Sequence, residues 1–503
     1  MKLTVGSIGV GLVLGGTAHA QCPDYATYAG TPQGNASTGP LALPYMRPAP
    51  ACRTFNSSVV EQVIANVTSR MKDPDLARLF ENTFPNTLDT TVKYYNQSEN
   101  LAFIITGDIT AQWLRDTGNQ FAHYHSLIGL DPALASLVKA VINNEARYID
   151  EYPYCGAFQP PPESGLQPSY NSYATDVITN PPINNQTVFE CKYELDSLCG
   201  FLKLSRHYYQ ATNDSSIMND NWNNAISQIF RVMEEQSQAT FDADWNFISY
   251  YNWTGSPGAL SPAVPNGGNG EPKGYTGLVG THHRPSDDLS TYPFLTPANA
   301  MLSVELTNLA DILDSAGKSQ NVSTAARRWS LQIKKAIQKH TVVNGIYAYE
   351  TNGLGSSYLM DDANVPSLLS LPYLGFLDLN DKTYIATRKF LLSRQNPYYA
   401  QGANFSGIGG PHVDVQHPWP MSRITDIFST DNDTEILQSL YLIANNTDGL
   451  GLIHESQSIT NQSDWTRPWF AWANSYFAEM ILDLAERKPG LIFKTNVPYT
   501  PGQ

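Results

Sequence analysis

A chain of 503 residues, 42% hydrophobic and 15% charged, exceeds one ordinary two-layer core but matches the large barrels that fold as one unit. Its net charge of −15 excludes the basic surface that nucleic acid or an anionic membrane needs. Aromatic residues reach 11%, with 28 Tyr and 9 Trp, and their flat faces suit ligands with apolar C–H surfaces.

Residues 1–20 read as a signal peptide. Lys2 precedes a short apolar run over Val5–Leu14, and Ala18-His19-Ala20 has the small residues of a cleavage site. That run is too short to span a membrane. The mature chain is expected to start near Gln21 and to be secreted. Residues 21–55, rich in Pro, Gly, Ser and Thr, read as an extended arm, and 56–503 as a single domain. Asn-X-Ser/Thr sequons at Asn35, Asn56, Asn66, Asn96, Asn185, Asn213, Asn252, Asn321, Asn404, Asn432, Asn445 and Asn461 fit an N-glycosylated secretory protein. The five cysteines leave one thiol over. Cys22–Cys52 would fasten the arm, and Cys191 has Cys155 or Cys199 as a partner. Neither Cys-x-x-Cys nor His-x-x-x-His occurs, so no metal site and no cofactor are expected.

Helical periodicity dominates beyond the arm. Leu195, Leu198 and Leu202 share a helical face. So do Ile226, Ile229, Phe230 and Met233, then Leu302, Leu306, Leu309 and Leu313, and finally Ala473, Phe477, Met480, Ile481 and Leu484, with Pro489-Gly490 as the stop. Strand patterns are confined to Ala102–Ile105 and Phe247–Tyr251. Long loops fill 153–187, 252–300 and 396–422. Many amphipathic helices with long loops and no fixed repeat predict an all-α helical toroid, with the loops at one end building a site.

Six segments combine acids, Arg, His and Trp: 112–120, 192–197, 282–290, 360–367, 451–456 and 466–474. Singly each has a plain reading, Arg115–Asp116 as an ion pair and Asp361-Asp362 as a helix cap. Together they resemble a carbohydrate site, where carboxylates and Arg forks hold hydroxyls and Trp forms an apolar floor. Glycoside hydrolysis needs two carboxyl groups across the scissile bond. Adjacent Asp287 and Asp288 cannot both ionise cheaply, which favours a proton donor. Glu455, between His454 and Ser456, is a candidate to activate water.

The stretches QWLRDTGNQ, RPSDDLSTYPFLTPAN, MDDANVPSLLSLPYLG, HES and TRPWFAWANS resemble, in that order, glycoside hydrolase family 125, the exo-α-1,6-mannosidases, from about residue 60 to 488. The resemblance implies an (α/α)6 barrel, an inverting mechanism and no required metal. It implies Asp288 (with Asp287 as the alternative) as general acid and Glu455 as general base. Trp113, Arg115, Asp116, Glu194, His283, Arg284, Asp361, Asp362, His454 and Arg467 are the candidate contacts to a terminal mannose. Glu194 and Asp196, two apart on one predicted helix, do not share a face; Glu194 is preferred. The expected partner is an α-mannoside oligosaccharide or N-glycan, and a monomer is expected. Two other readings stay open: an inverting α-glucosidase on the same fold, and a secreted glycan-binding protein without turnover.

Overall fold

The computed structural model describes residues 22–171, 177–255 and 264–502; the expected signal peptide lies outside them. Among the described residues, twelve helices have seven or more residues. They are α1 (Ser58–Arg70), α2 (Pro74–Thr83), α3 (Leu114–Gln120), α4 (Pro132–Glu151), α5 (Leu195–Thr212), α6 (Asp220–Gln236), α7 (Thr296–Ala316), α8 (Gln320–His340), α9 (Lys382–Leu391), α10 (Pro420–Phe428), α11 (Asp433–Ala444) and α12 (Ala471–Arg487). Successive helices pack on one another: α1 on α2, α4 on α5 and α6, α5 on α7, α7 on α8, α10 on α11. The last helix, α12, returns to pack on α2 and α3, so the ends of the helical region meet. The predicted apolar faces are buried, except that Phe230 is only partly covered.

Helix starts fall into two groups. Several carry side-chain caps that satisfy orphan N–H groups. Ser57 accepts from Val60 N for α1, Asp73 from Asp75 N for α2, Asp131 from Ala133 N for α4 and Asn219 from Trp222 N for α6. By contrast α3, α5, α10 and α12 follow Trp113, Glu194, Trp419 and Phe470, none of which makes a side-chain cap. These four residues gather at one place, described below.

Helices α3 and α5 cross closely. A Cβ on Gly118 would sit 2.7 Å from Gly200 O, and one on Gly200 would sit 2.6 Å from Leu114 O. Only glycine permits that approach, which sets the first turn of α3, with Arg115 and Asp116, against the start of α5, with Glu194 and Asp196.

The strands are short and local. β1 (Val92–Asn96) pairs antiparallel with β2 (Leu101–Ile104), one residue from the predicted strand. β3 (Gln112–Trp113), β4 (Ala157–Phe158) and β6 (Val188–Glu190) form a three-stranded ladder, and β5 (Val177–Asn180) pairs with β7 (Asn252–Gly255). The strand predicted at Phe247–Tyr251 does not form. Phe247 makes one isolated bridge to Phe241, and regular pairing starts at Asn252, where β5 supplies a partner edge.

The arm carries a short helix at Tyr25–Ala29 and a 3-10 turn at Pro50–Cys52 rather than being extended throughout. Its Tyr25 packs edge-on against Trp469 at 4.9 Å. Disulfides join Cys22 to Cys52 and Cys155 to Cys191, leaving Cys199 free and buried. None of the twelve sequon asparagines is buried. No described helix is long and apolar enough to cross a membrane.

Candidate active site

Trp113, Trp419 and Phe470 line a cleft over the uncapped starts of α3, α10 and α12. Arg115, Asp116, Ser286, Asp287, Asn364, Glu455, Arg467 and Trp472 complete most of its wall. A terminus without a side-chain cap leaves polar N–H groups and the positive end of the helix dipole near the cleft.

One wall is a tight hairpin. His283 bridges Leu289, Arg284 N donates to Asp288 O (2.8 Å), and Asp287 N donates to Arg284 O (2.9 Å). Asp287 sits in the left-handed region at φ 67°, a conformation that costs free energy for a non-glycine residue and here turns its carboxylate toward the cleft. Trp113 Nε1 donates to Asp287 Oδ1 at 3.3 Å, and Arg115 Nη2 lies 3.5 Å from the same oxygen.

Behind Asp287 is a buried cluster of acids around one guanidinium. Arg115 reaches Glu194 Oε2 at 2.9 Å and Asp116 Oδ2 at 3.1 Å. Ser197 Oγ donates to Glu194 Oε2 at 2.8 Å. A Cβ at Gly156 would fall 2.8 Å from that oxygen, so glycine makes the room Glu194 needs. Both oxygens of Asp196 are buried without a hydrogen-bond partner. Burial pushes Asp116 up to about 6 and Asp196 up to about 7. Burial also raises Glu194 well above the carboxylate range, and the neighbouring Asp287 adds to the rise. Burial works to raise Asp287 too, but Arg115, Lys192 and the bond from Glu194 outweigh it and hold Asp287 below its ordinary value.

The facing wall is built differently. β8 (Ser456–Gln457) pairs with β9 (Trp465–Thr466), bringing Glu455 beside the residues after β9. Glu455 Oε2 accepts from Thr466 Oγ1 (2.8 Å) and Oε1 from Arg467 Nε (2.8 Å). Arg467, at φ 57°, also binds Asp108 at 2.6 Å and keeps a quarter of its side chain exposed.

Six of the expected residues therefore share the cleft: Trp113, Arg115, Asp116, Asp287, Glu455 and Arg467. Glu194 stands one layer behind. Asp288, the preferred acid in the sequence, is not itself on the cleft wall; its Oδ2 lies 2.9 Å from Oγ of Ser286, which is, and its Oδ1 3.6 Å from Nδ1 of His412, whose ring packs edge-on against Trp419. Five expected contacts are not brought to the cleft wall. Arg284 is buried against Glu350 at 2.6 Å, and Glu350 also holds Thr291 N and Tyr292 N, so the pair anchors the hairpin. Asp361 accepts from Leu368 N and Leu369 N, bracing a run of turns where no helix forms rather than capping a helix. Asp362 bonds Ser286 Oγ at 2.7 Å. His283 packs edge-on to Trp253, and His454 stacks on Trp465 at 4.0 Å with its ring nitrogens on the carbonyls of Arg467 and Thr447. Residues overlooked in the sequence are Asn364, Trp419, Phe470 and Trp472. Phe470 and Trp472 lay inside a flagged segment; Trp419 carried no signal beyond being a Trp after Pro.

No described group of three or more His, Cys, Asp or Glu is disposed to hold a metal ion. The acids that gather here are arranged around the Arg115 guanidinium, which occupies the place of a cation.

Comparisons with known proteins agree with this chemistry. Residues 73–482 match the family described as metal-independent alpha-mannosidase, GH125. The meiotically up-regulated gene 157 protein of Schizosaccharomyces pombe is 45% identical over 484 residues, 94% of each chain. A solved metal-independent alpha mannosidase of Streptococcus pneumoniae, in a non-productive complex with alpha-1,6-mannobiose, superposes with a TM-score of 0.78 at 29% identity, covering 86% of this chain and 99% of that one. The match spans every segment that builds the cleft, and the chain belongs to glycoside hydrolase family 125, the metal-independent alpha-mannosidases.

Proposed function

We propose that the protein is an inverting exo-α-1,6-mannosidase, secreted and N-glycosylated, acting as a monomer through a single (α/α)6 barrel domain. The twelve helices, and the return of α12 to α2 and α3, support the barrel. The α-1,6-mannobiose bound by the pneumococcal relative supports the linkage. The observation that carries the reaction is that Asp287 and Glu455 face one cleft from opposite kinds of wall.

In this reading Asp287, rather than Asp288, is the donor. Glu194 holds the proton beside it. As the sugar's C1–O bond breaks, Asp287, ionised at rest, takes the proton from Glu194 and delivers it to the departing 6-oxygen, leaving Glu194 ionised until water returns a proton. Glu455 removes a proton from the water that attacks C1 on the other face, and the product is β-mannose. Inversion requires roughly 6.5–9.5 Å between the two carboxyl groups. Asp116 and Arg115 hold hydroxyls, with Trp113, Trp419 and Trp472 as apolar walls. The free space is about 30 Å³, room for a water or two, so Arg467 swings off its Glu455–Asp108 bridge as a pyranose enters.

The test is proton NMR of sugar released from α-1,6-mannobiose, with maltose in parallel. The expected result is β-mannose first, no glucose, and a Glu455→Gln variant slowed by roughly 10³-fold or more, within the span of acid–base catalysis. α-Mannose appearing first would overturn inversion. Turnover of maltose alone would make the protein an α-glucosidase, and binding without any turnover would leave a glycan-binding protein.

A further inference from the structure

A cavity of about 330 Å³ lies outside the cleft. Phe241, Phe247 and Tyr250 line it on one side, and His282, Leu289 and Ser290 on the other. The last three belong to the hairpin that carries Asp287. Its tip, Pro285–Asp287, lines the cleft, and its base lines the cavity. The three rings of the opposite side are 42–50% exposed, although burying such a ring would gain free energy. Next to them Trp245 is 80% exposed, with its ring 5.8 Å from Phe241. Its display is built: Asp242 Oδ1 accepts from Asp244 N and Asn246 N, and Trp245 occupies the left-handed region at φ 65° at the tip of that turn. The Ser290 hydroxyl is buried without a partner. Aromatic faces with a spare hydroxyl, in a protein of net charge −15, suit a neutral ligand with apolar C–H faces and hydroxyl groups.

We propose that this cavity and the Trp245 turn bind the leaving-group part of the substrate, the saccharide beyond the cleaved bond. The inference rests on reading the cleft as a mannosidase site. The shared hairpin is the argument for a sugar of the same chain rather than an unrelated ligand, because one segment borders both spaces.

The experiment compares the wild type with a Trp245→Ala/Phe247→Ala double variant on α-1,6-mannotetraose and on an aryl α-mannoside, which has no sugar on the leaving side. The expected result is a roughly tenfold loss of kcat/KM on the tetraose, the size of one aromatic contact, with the aryl substrate unchanged. Equal rates on both substrates in both proteins would overturn the proposal, as would a parallel loss on both. Calorimetric titration of mannotetraose into Glu455→Gln protein, with and without the double substitution, separates this inference from the mannosidase reading. If the wild type cleaves no mannoside but the double substitution weakens tetraose binding about tenfold, the saccharide site stands and the catalytic reading falls. If cleavage is normal and binding is unaltered, the catalytic reading stands and this site falls.

Discussion

The two walls of the cleft solve opposite problems. On the Asp287 side, four acids crowd one guanidinium, Asp196 keeps two unpartnered oxygens, and burial raises three of the four carboxyls. On the Glu455 side, each carboxylate oxygen has a donor, and Arg467 links it to the half-exposed Asp108. On the Asp287 side the acids behind the cleft face are shut from water and have too few donors, which favours a retained proton; on the Glu455 side both oxygens are held, which fixes the direction of the carboxylate. The chemistry thus follows from how the carboxyls of each wall are partnered, since both are made of the same residue types.

The sharpest way to break this contrast is to neutralise each adjacent aspartate in turn. Asp287→Asn is expected to lower kcat on mannobiose by roughly 10³-fold, and much less on an aryl mannoside whose leaving group needs no protonation. Asp288→Asn, acting only through Ser286 and His412, should cost about tenfold or less on both. A reversal of the two effects, measured by steady-state kinetics, would move the donor to Asp288.

A smaller effect is expected one layer back. Burial raises Glu194 well above the carboxylate range, while Asp287 is held low by Arg115 and Lys192 against its own burial. Proton donation is therefore present at low pH and lost as pH rises through the loss of the shared proton. Glu194→Gln removes the store, so the alkaline limb of kcat/KM should move at least about one pH unit down, with about 10²-fold loss at pH 7. A rate loss with an unmoved limb would make Glu194 a packing residue.

The smallest effect tests the Glu455 wall. Arg467→Gln frees Glu455 and opens the cleft, and about tenfold or less is expected, in KM rather than kcat. A kcat loss as large as that of Glu455→Gln would place Arg467 in the chemical step.

Much of this was legible in the residues. The flagged segments hold most of the cleft, the helix faces were readable from spacing, and Cys22–Cys52 was a pairing the sequence offered without fixing it. What was not legible is direction. The segments at 282–290 and 360–367 are turns, and in a turn neighbouring side chains diverge: Asp287 lines the cleft and Asp288 meets His412; Asp361 braces a turn and Asp362 holds Ser286. Periodicity has nothing to say there, because no repeat fixes the orientation. Arg284 illustrates a second limit, since its partner Glu350 lies 66 residues on. Phe247–Tyr251 shows a third: a strand needs an edge to pair with, and that edge lies in a distant segment.

The Cys22–Cys52 bond has a consequence for the floor of the cleft. Tyr25 rests on Trp469, the residue before Phe470, and Gly107 meets the Trp469 carbonyl next to Asp108. With the cysteines 30 residues apart, the arm is a closed loop, and undocking Tyr25 is an excursion within the molecule rather than an escape from it. A loosened arm returns at the high effective concentration of a short tether, so the peptide carrying Phe470 and Arg467 is seldom without its outer cover.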